Sequence, residues 1–348
     1  MARPLRIDVP GGWYHVTARG NERRAIFLDD RDRERFVGLL AELPGRFGVR
    51  VHAYVLMSNH WHALVETPEA NLSRAIQWVQ VSYSVWFNRR HRRVGHLFQG
   101  RFKAILFEAE ELAWGLSQYV HLNPVRLKRL GLDKAGQARS RAGLGDGPTA
   151  EVVAARLKRL REYRWSSYRA YAGLTREPGW LTTAAVLGGT RKRAARQRAY
   201  VAETEALVRE GRVEAVWEGV RGGALLGSER FLEKMRVYVK GNDQEQAGLW
   251  QLQGRPTLAM AIAAVEKMKG QKWEDFRDAH GDWGRDLVLY LGRTRCGMTL
   301  RELAAAAGGV QSGSISAALR RFDQQLKNDH QFHNQYSAVC AQISNNQM

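Results

Sequence analysis

Cysteine is almost absent from this 348-residue chain, with Cys296 and Cys340 its only two. Neither a disulfide framework nor a cysteine-based zinc site can be built from that pair. No stretch approaches the ~20 consecutive apolar residues of a membrane-spanning helix. The opening Met1-Ala2-Arg3-Pro4-Leu5-Arg6 also lacks the apolar run of an export signal. A reducing, cytoplasmic setting without a membrane partner is therefore expected. Acidic residues are scarce beside basic ones, 35 Asp+Glu against 54 Lys+Arg, for a net charge of +19. The imbalance is concentrated in residues 1–170, which hold 29 Lys+Arg and 16 Asp+Glu. A polyanionic partner is implied. Because Arg predominates over Lys, phosphate is favoured, since a guanidinium fork meets its oxygens in pairs.

At this length two or three compact units are expected. Residues 13–18 are aromatic and β-branched and read as a strand ending at Arg19-Gly20-Asn21. Asp29–Leu43 reads as a helix, 49–57 and 61–66 as a strand pair turning at Ser58-Asn59, and Leu72–Asn88 as a long helix. Leu97–Phe107 reads as a strand interrupted at Gly100, and Glu110–Val120 as a helix that Asn123-Pro124 ends. The order β-α-β-β-α-β-α with short connections fits an α+β class: a ferredoxin-like antiparallel sheet with helices on one face. Residues 134–150 are glycine-rich and read as a flexible loop or inserted linker. Helical signal returns over 151–160 and 191–215.

Near the C-terminus Thr299-Leu300-Arg301-Glu302 is a capping box that opens a helix through Ala307. Gly308-Gly309 supplies a turn, and Ser314–Leu326 a second helix, so the pair reads as helix-turn-helix. A helical hairpin serving only as structure fits the same pattern. Five segments follow: a core over 1–133, a linker and extension over 134–175, a helical region without assigned role over 176–254, the helix-turn-helix unit over 255–328, and a loosely ordered polar tail over 329–348.

Two small groupings carry chemistry. In His60-Trp61-His62 the side chains alternate, so both imidazoles share one face of the strand and make a two-ligand metal platform. Tyr119 and Asn123 stand four residues apart on one helical face, in reach of such a platform. Each grouping alone is also compatible with ordinary packing. His15, His52 and His121 read as packing or hydrogen-bonding residues, and Glu66 as a second-shell partner to the platform.

In order along the chain, Tyr14-His15-Val16-Thr17-Ala18-Arg19-Gly20-Asn21, Leu56-Met57-Ser58-Asn59-His60-Trp61-His62, Gly95–Ala104, Tyr119–Arg126 and Arg164-Trp165-Ser166-Ser167-Tyr168-Arg169 together resemble a known family. It is that of the REP-associated tyrosine transposases, within the IS200-like single-tyrosine HUH group. The resemblance covers roughly residues 10–175. It implies the ferredoxin-like fold, His60 and His62 as metal ligands, Tyr119 as nucleophile, and Asn123 in the place of a polar third ligand that is often Gln. It further implies Mg²⁺ or Mn²⁺, against the general preference of imidazole for transition metals. The implied reaction cuts and rejoins single-stranded DNA at palindromic repeat hairpins through a 5′-phosphotyrosine, leaving a free 3′-hydroxyl. No small-molecule cofactor is called for, and monomer and homodimer both remain open.

For DNA contact the candidates in the first half are Arg89, Arg90, Arg92 and Arg93, with Arg101, Lys103 and Arg126. Trp165-Ser166-Ser167-Tyr168 either stacks bases or packs the extension onto the core. The C-terminal helix pair resembles the DNA-binding domain of bacterial replication initiators but departs from it at Val310-Gln311-Ser312-Gly313-Ser314. Gln311, Ser312, Ser314, Arg320 and Arg321 are its candidate contacts. Two other functions remain: a domesticated DNA-binding regulator with a vestigial core, and an RNA-binding ferredoxin-like module.

Overall fold

The computed structural model describes residues 6–133, 135–137, 147–188, 193–211, 217, 219–239 and 256–345. The chain divides into two compact units, Met1–Gly248 and Leu249–Met348.

In the first unit β1 (Gly12–Arg19), β2 (Arg50–Leu56), β3 (His60–Thr67), β4 (Lys103–Phe107) and β5 (Leu225–Leu226) form one sheet in the order β2-β3-β1-β4-β5. The first four pair antiparallel in the ferredoxin-like order, as the sequence pattern implied. The two-residue β5, from the region without an assigned role, adds in parallel to β4 and covers what would be an open edge. Strand β4 is shorter than its expected 97–107 span. Gly100 adopts φ 146, which breaks the extended run, and Phe98 keeps only an isolated bridge to Gly20.

Helix α1 (Asp30–Phe47) starts where Asp29 accepts from the Asp32 amide and stops at Gly48 with φ 65. Together with α2 (Leu72–Arg90) it covers one face of the sheet. Trp61 is fully buried there against Phe36 of α1, which in turn packs on Tyr83 of α2. The one-face arrangement holds for these two crossover helices, whereas α3 (Ala109–Leu122) lies on the opposite face. There Leu116 and Val120 join Ala53, Val55 and Leu64 in a core. Strand β3 is buried on both sides for this reason.

The same core takes in α4 (Ala150–Glu162), α5 (Tyr168–Tyr171), α6 (Ala184–Leu187) and α7 (Arg193–Glu210) through Leu157, Leu160, Tyr168, Leu187 and Tyr200. The described residues from 147 to 239 therefore contribute to the first unit rather than standing as separate domains. Most of the expected loop at 134–150 lies outside the described residues. Helix α8 (Glu229–Arg236) completes the described elements of this unit.

The second unit is all helical: α9 (Leu258–Lys269), α10 (Trp273–Phe276), α11 (Trp283–Thr294), α12 (Leu300–Ala306), α13 (Ser312–Asn328) and α14 (His330–Asn345). The capping box is present, with Thr299 Oγ1 accepting from the Glu302 amide and Glu302 accepting from that of Thr299. Gly308 and Gly309 both take φ 80 in the α12–α13 turn. The tail read as loosely ordered is helix α14. Its Phe332, Tyr336, Val339, Cys340 and Ile343 fall at helical spacing and pack against the core formed by Val265, Leu287, Leu291 and Phe322. Asn, Gln and His between those positions diluted the signal.

Candidate active site

The short turn between β2 and β3 delivers His60 and His62 at the start of β3, on the face opposite Trp61. Strand register sets Arg19 across from His60, Thr17 across from His62, and Lys103 of β4 across from Thr17. Directly paired residues project to the same side, so a row of histidines and cations crosses three strands on one face. Arg19 and Lys103 are exposed.

Helix α3 brings Tyr119 to that same face. Its ring lies 6.0 Å from that of His62 and 5.9 Å from that of His15, nearly perpendicular to both. The Arg126 guanidinium sits over the phenol ring, 4.9 Å from its centroid. Trp217 meets Tyr119 edge-on at 5.0 Å and His15 at 4.6 Å. Because α3 ends at Asn123-Pro124, Asn123 folds its side chain back onto the helix. Its Nδ2 donates to the carbonyls of Tyr119 at 2.9 Å and Val120 at 3.3 Å.

Burial pushes the His60 imidazole down to about 4, with nearby Arg19 adding to the effect. His62 is held well below its ordinary value, by burial first and then by the charges of His15, His60, Arg126 and Arg19. Burial likewise lowers His15 to about 3. All three rings are therefore neutral at pH 7 and each keeps one nitrogen lone pair. The Nδ1 of His60 lies 2.7 Å from Asn59 Oδ1, and that of His62 lies 2.9 Å from His15 Nε2. Neither Nε2 has a hydrogen-bond partner among the described residues, which leaves both open to a cation.

Among the described residues no group of three or more His, Cys, Asp or Glu could hold a metal ion. Asn123 retains an Oδ1 without a hydrogen bond among the described residues. The two imidazoles fit an ion that keeps open coordination positions, and no contact joins Asn123 to either ring.

Several sequence candidates have other partners. Glu66 pairs with Arg50 at 2.8 Å and with His52 at 3.3 Å, at the far end of β3 from His60, so it is not a second-shell partner of the platform. Its alternation parity is right, but six residues of extended strand separate the two. Arg90 binds Asp29 at 2.6 Å and the fully buried Asp32, which also holds His91 at 2.9 Å. It braces the start of α1 instead of joining a free basic run. Arg89 and Arg92 are exposed, as is Arg101, while Arg93 is half-buried with its guanidinium over Phe87. In the second unit Gln311 and Ser312 are exposed at the start of α13, and Ser314 is half-buried. Arg320 is exposed, and Arg321 reaches the buried Asp286 at 3.3 Å.

The Trp165–Tyr168 segment packs the extension onto the core: Leu56 donates to the Trp165 carbonyl, Ser167 Oγ accepts from the Tyr54 amide, and Tyr168 is fully buried. His121 bridges Tyr200 and Ser167 at 2.7 Å each, as a hydrogen-bonding residue. His52 does the same with the Thr182 carbonyl. Sequence reasoning gave no role to Arg19, Asn59 or Trp217 and read His15 as packing. Arg19 and Asn59 stand inside the motifs, but only strand register and turn geometry bring them to the histidines. Nothing in the local sequence marks Trp217.

Residues 8–123 match the family described as Transposase IS200 like. Over this N-terminal segment, a third of its length, the chain is similar to the IS200-like transposases. His60, His62, Tyr119 and Asn123 all fall inside the matched segment. A solved structure titled "Structure of the REP associates tyrosine transposase bound to a REP hairpin" is similar at 14% identity and a TM-score of 0.37, over 52% of this chain and 92% of that chain. No curated protein matches this chain. No helix among the described residues is long and apolar enough to cross a membrane.

Proposed function

We propose that this protein cuts and rejoins single-stranded DNA next to palindromic repeat hairpins, with Tyr119 as nucleophile and a divalent ion, Mg²⁺ or Mn²⁺, at His60, His62 and Asn123. The observation that carries the reading is the placement of the Tyr119 ring 6.0 Å from His62 on the face where both imidazoles present free Nε2 atoms.

The Tyr119 phenol gives up its proton to solvent as its oxygen attacks phosphorus, a 5′-phosphotyrosine bond forms, and the P–O3′ bond breaks as the 3′-oxygen leaves and takes up a proton in return. One phosphate diester replaces another, so attack by a 3′-hydroxyl reverses the step and gives strand transfer. A bound ion would supply positive charge for the phosphate oxygens. His60 and His62, kept neutral by burial, would hold it; Arg126 and Arg19 add fixed positive charge beside the phosphate. Along the strand, Lys103, Arg101, Arg89, Arg92 and Arg93 track the phosphates. The second unit adds a DNA-binding helix pair, α12 and α13, offering Gln311, Ser312, Ser314 and Arg320.

The test is incubation with labelled single-stranded DNA from the flanks of the protein's own gene, with Mn²⁺ or with EDTA, followed by a denaturing gel. A protein-linked band that needs the metal is expected. Cleavage in EDTA, or the absence of any linked product with all flanking strands, counts against it.

A further inference from the structure

We infer that Asn59 and His15 are positioning residues that set the tautomers of His60 and His62, so that both Nε2 lone pairs are presented together to a cation. The inference rests on the metal reading above and concerns residues to which that reading gives no part.

The amide of Asn59 is oriented unambiguously. Its Nδ2 donates to the Arg23 carbonyl at 2.8 Å, which only the NH₂ end can do, so Oδ1 is the atom 2.7 Å from His60 Nδ1. An amide oxygen only accepts, hence His60 carries its proton on Nδ1. A neutral imidazole has a single N–H, so Nε2 is bare. Arg23 itself takes φ 60, and the turn that presents its carbonyl is thus a specific conformation.

His62 is fixed from the other side. Its Nδ1 lies 2.9 Å from His15 Nε2, and the two rings are stacked at 21° with centroids 5.1 Å apart. Cation binding at His62 Nε2 requires the proton on Nδ1, which then donates to His15. His15 must accept, so its own proton moves to its Nδ1. That atom is buried with no hydrogen-bond partner among the described residues. The Trp217 ring, 4.6 Å from that of His15, holds the acceptor in place. With both tautomers set, the His60 and His62 rings stand at 86° with centroids 5.1 Å apart. Metal-binding histidines generally have their second nitrogen tied in this way.

The full-length protein is titrated with Mn²⁺ by calorimetry, beside His60→Ala as a control for the site. His15→Ala and Asn59→Ala are each expected to weaken Mn²⁺ binding about 10–100-fold. His15→Gln, which restores an acceptor for His62 Nδ1, is expected to return affinity to near the starting level. A merely structural role would not be rescued in this pattern. Unchanged affinity in the alanine variants, or no rescue, overturns the inference while His60-dependent binding keeps the metal reading intact. Failure of the unaltered protein to bind Mn²⁺ through His60 overturns both. Independently of any variant, ¹⁵N-resolved spectra of the metal-free protein are expected to show His60 protonated on Nδ1, and an Nε2–H signal there overturns the assignment.

Discussion

Tyr119 on α3 meets His62 on β3 edge to face, with ring centroids 6.0 Å apart and an interplanar angle of 87°. The contact joins a helix C-terminus to a central strand across the face of the sheet that the crossover helices leave free. It makes the first prediction direct. Tyr119→Phe keeps the ring and its packing against Trp217 and Arg126, so binding to single-stranded DNA is expected to stay within about twofold, since the phosphate contacts that dominate affinity are untouched. Covalent adducts are expected to vanish. An adduct band persisting in the variant assigns the nucleophile elsewhere.

His60→Ala and His62→Ala each remove an imidazole with an open Nε2. Cleavage is expected to fall by more than about 100-fold, because even the outer partners of metal ligands are worth 10–100-fold. Binding of a hairpin in EDTA is expected to be nearly unchanged. The comparison is a cleavage time course beside a gel-shift titration.

Arg90 and Arg89 are neighbours with different duties. Asp32, fully buried, accepts from the Leu28 amide at 2.7 Å and binds both Arg90 and His91. Asp32→Ala strands those groups and is expected to destabilise the protein by at least about 2 kcal/mol. Arg89→Ala, at an exposed position, is expected to leave the melting temperature unchanged and to lower the slope of log affinity against log salt by ~0.7. Thermal melts and salt titrations of both variants separate the roles, and equal destabilisation by the two would refute the division.

His121 has no exposed surface, and burial lowers its pKa from the ordinary 6.5 to about 3. Between those two values the unfolded chain binds a proton that the folded chain does not, so stability falls as pH drops through that window and is fully present above it. Each such histidine contributes ~1.4 kcal/mol per pH unit. Moving from pH 7 to pH 5 is thus expected to remove about 2 kcal/mol through His121 alone. His121→Gln is expected to be less stable at pH 7 but to lose less on acidification, as urea midpoints at the two pH values will reveal.

Val339 and Ile343 belong to a helix in what read as a polar tail. Val339→Asp introduces a charge into the core of the second unit beside Phe322 and Leu291. That unit is expected to lose its cooperative melting transition, while metal binding by the first unit survives. Calorimetry resolves the two, and an unchanged transition would mean that α14 is dispensable.

The sequence alone determined the order of the first seven elements, because strand and helix periods are local and strong there. It also determined that His60 and His62 share a face, since strand alternation allows nothing else, and that the phenol of Tyr119 and the amide of Asn123 lie one helical turn apart. The capping box at Thr299 and the paired glycines after Ala307 were equally legible, for both are local hydrogen-bond and backbone-angle requirements.

What only the tertiary structure decided depends on pairing between distant segments. Which face α3 would take, and hence whether Tyr119 could meet the histidines, is a matter of packing rather than periodicity. Strand register set Arg19 opposite His60 and carried Glu66 to the far end of the same strand. His15 and Asn59 became partners of the two imidazoles through diagonal and turn contacts that no sequence spacing encodes. Arg90 left the basic run because a carboxylate from α1 lay within reach, and Asp286 did the same for Arg321. Hydrogen bonds and ion pairs act over a few ångströms, so their partners are fixed only once the chain has folded.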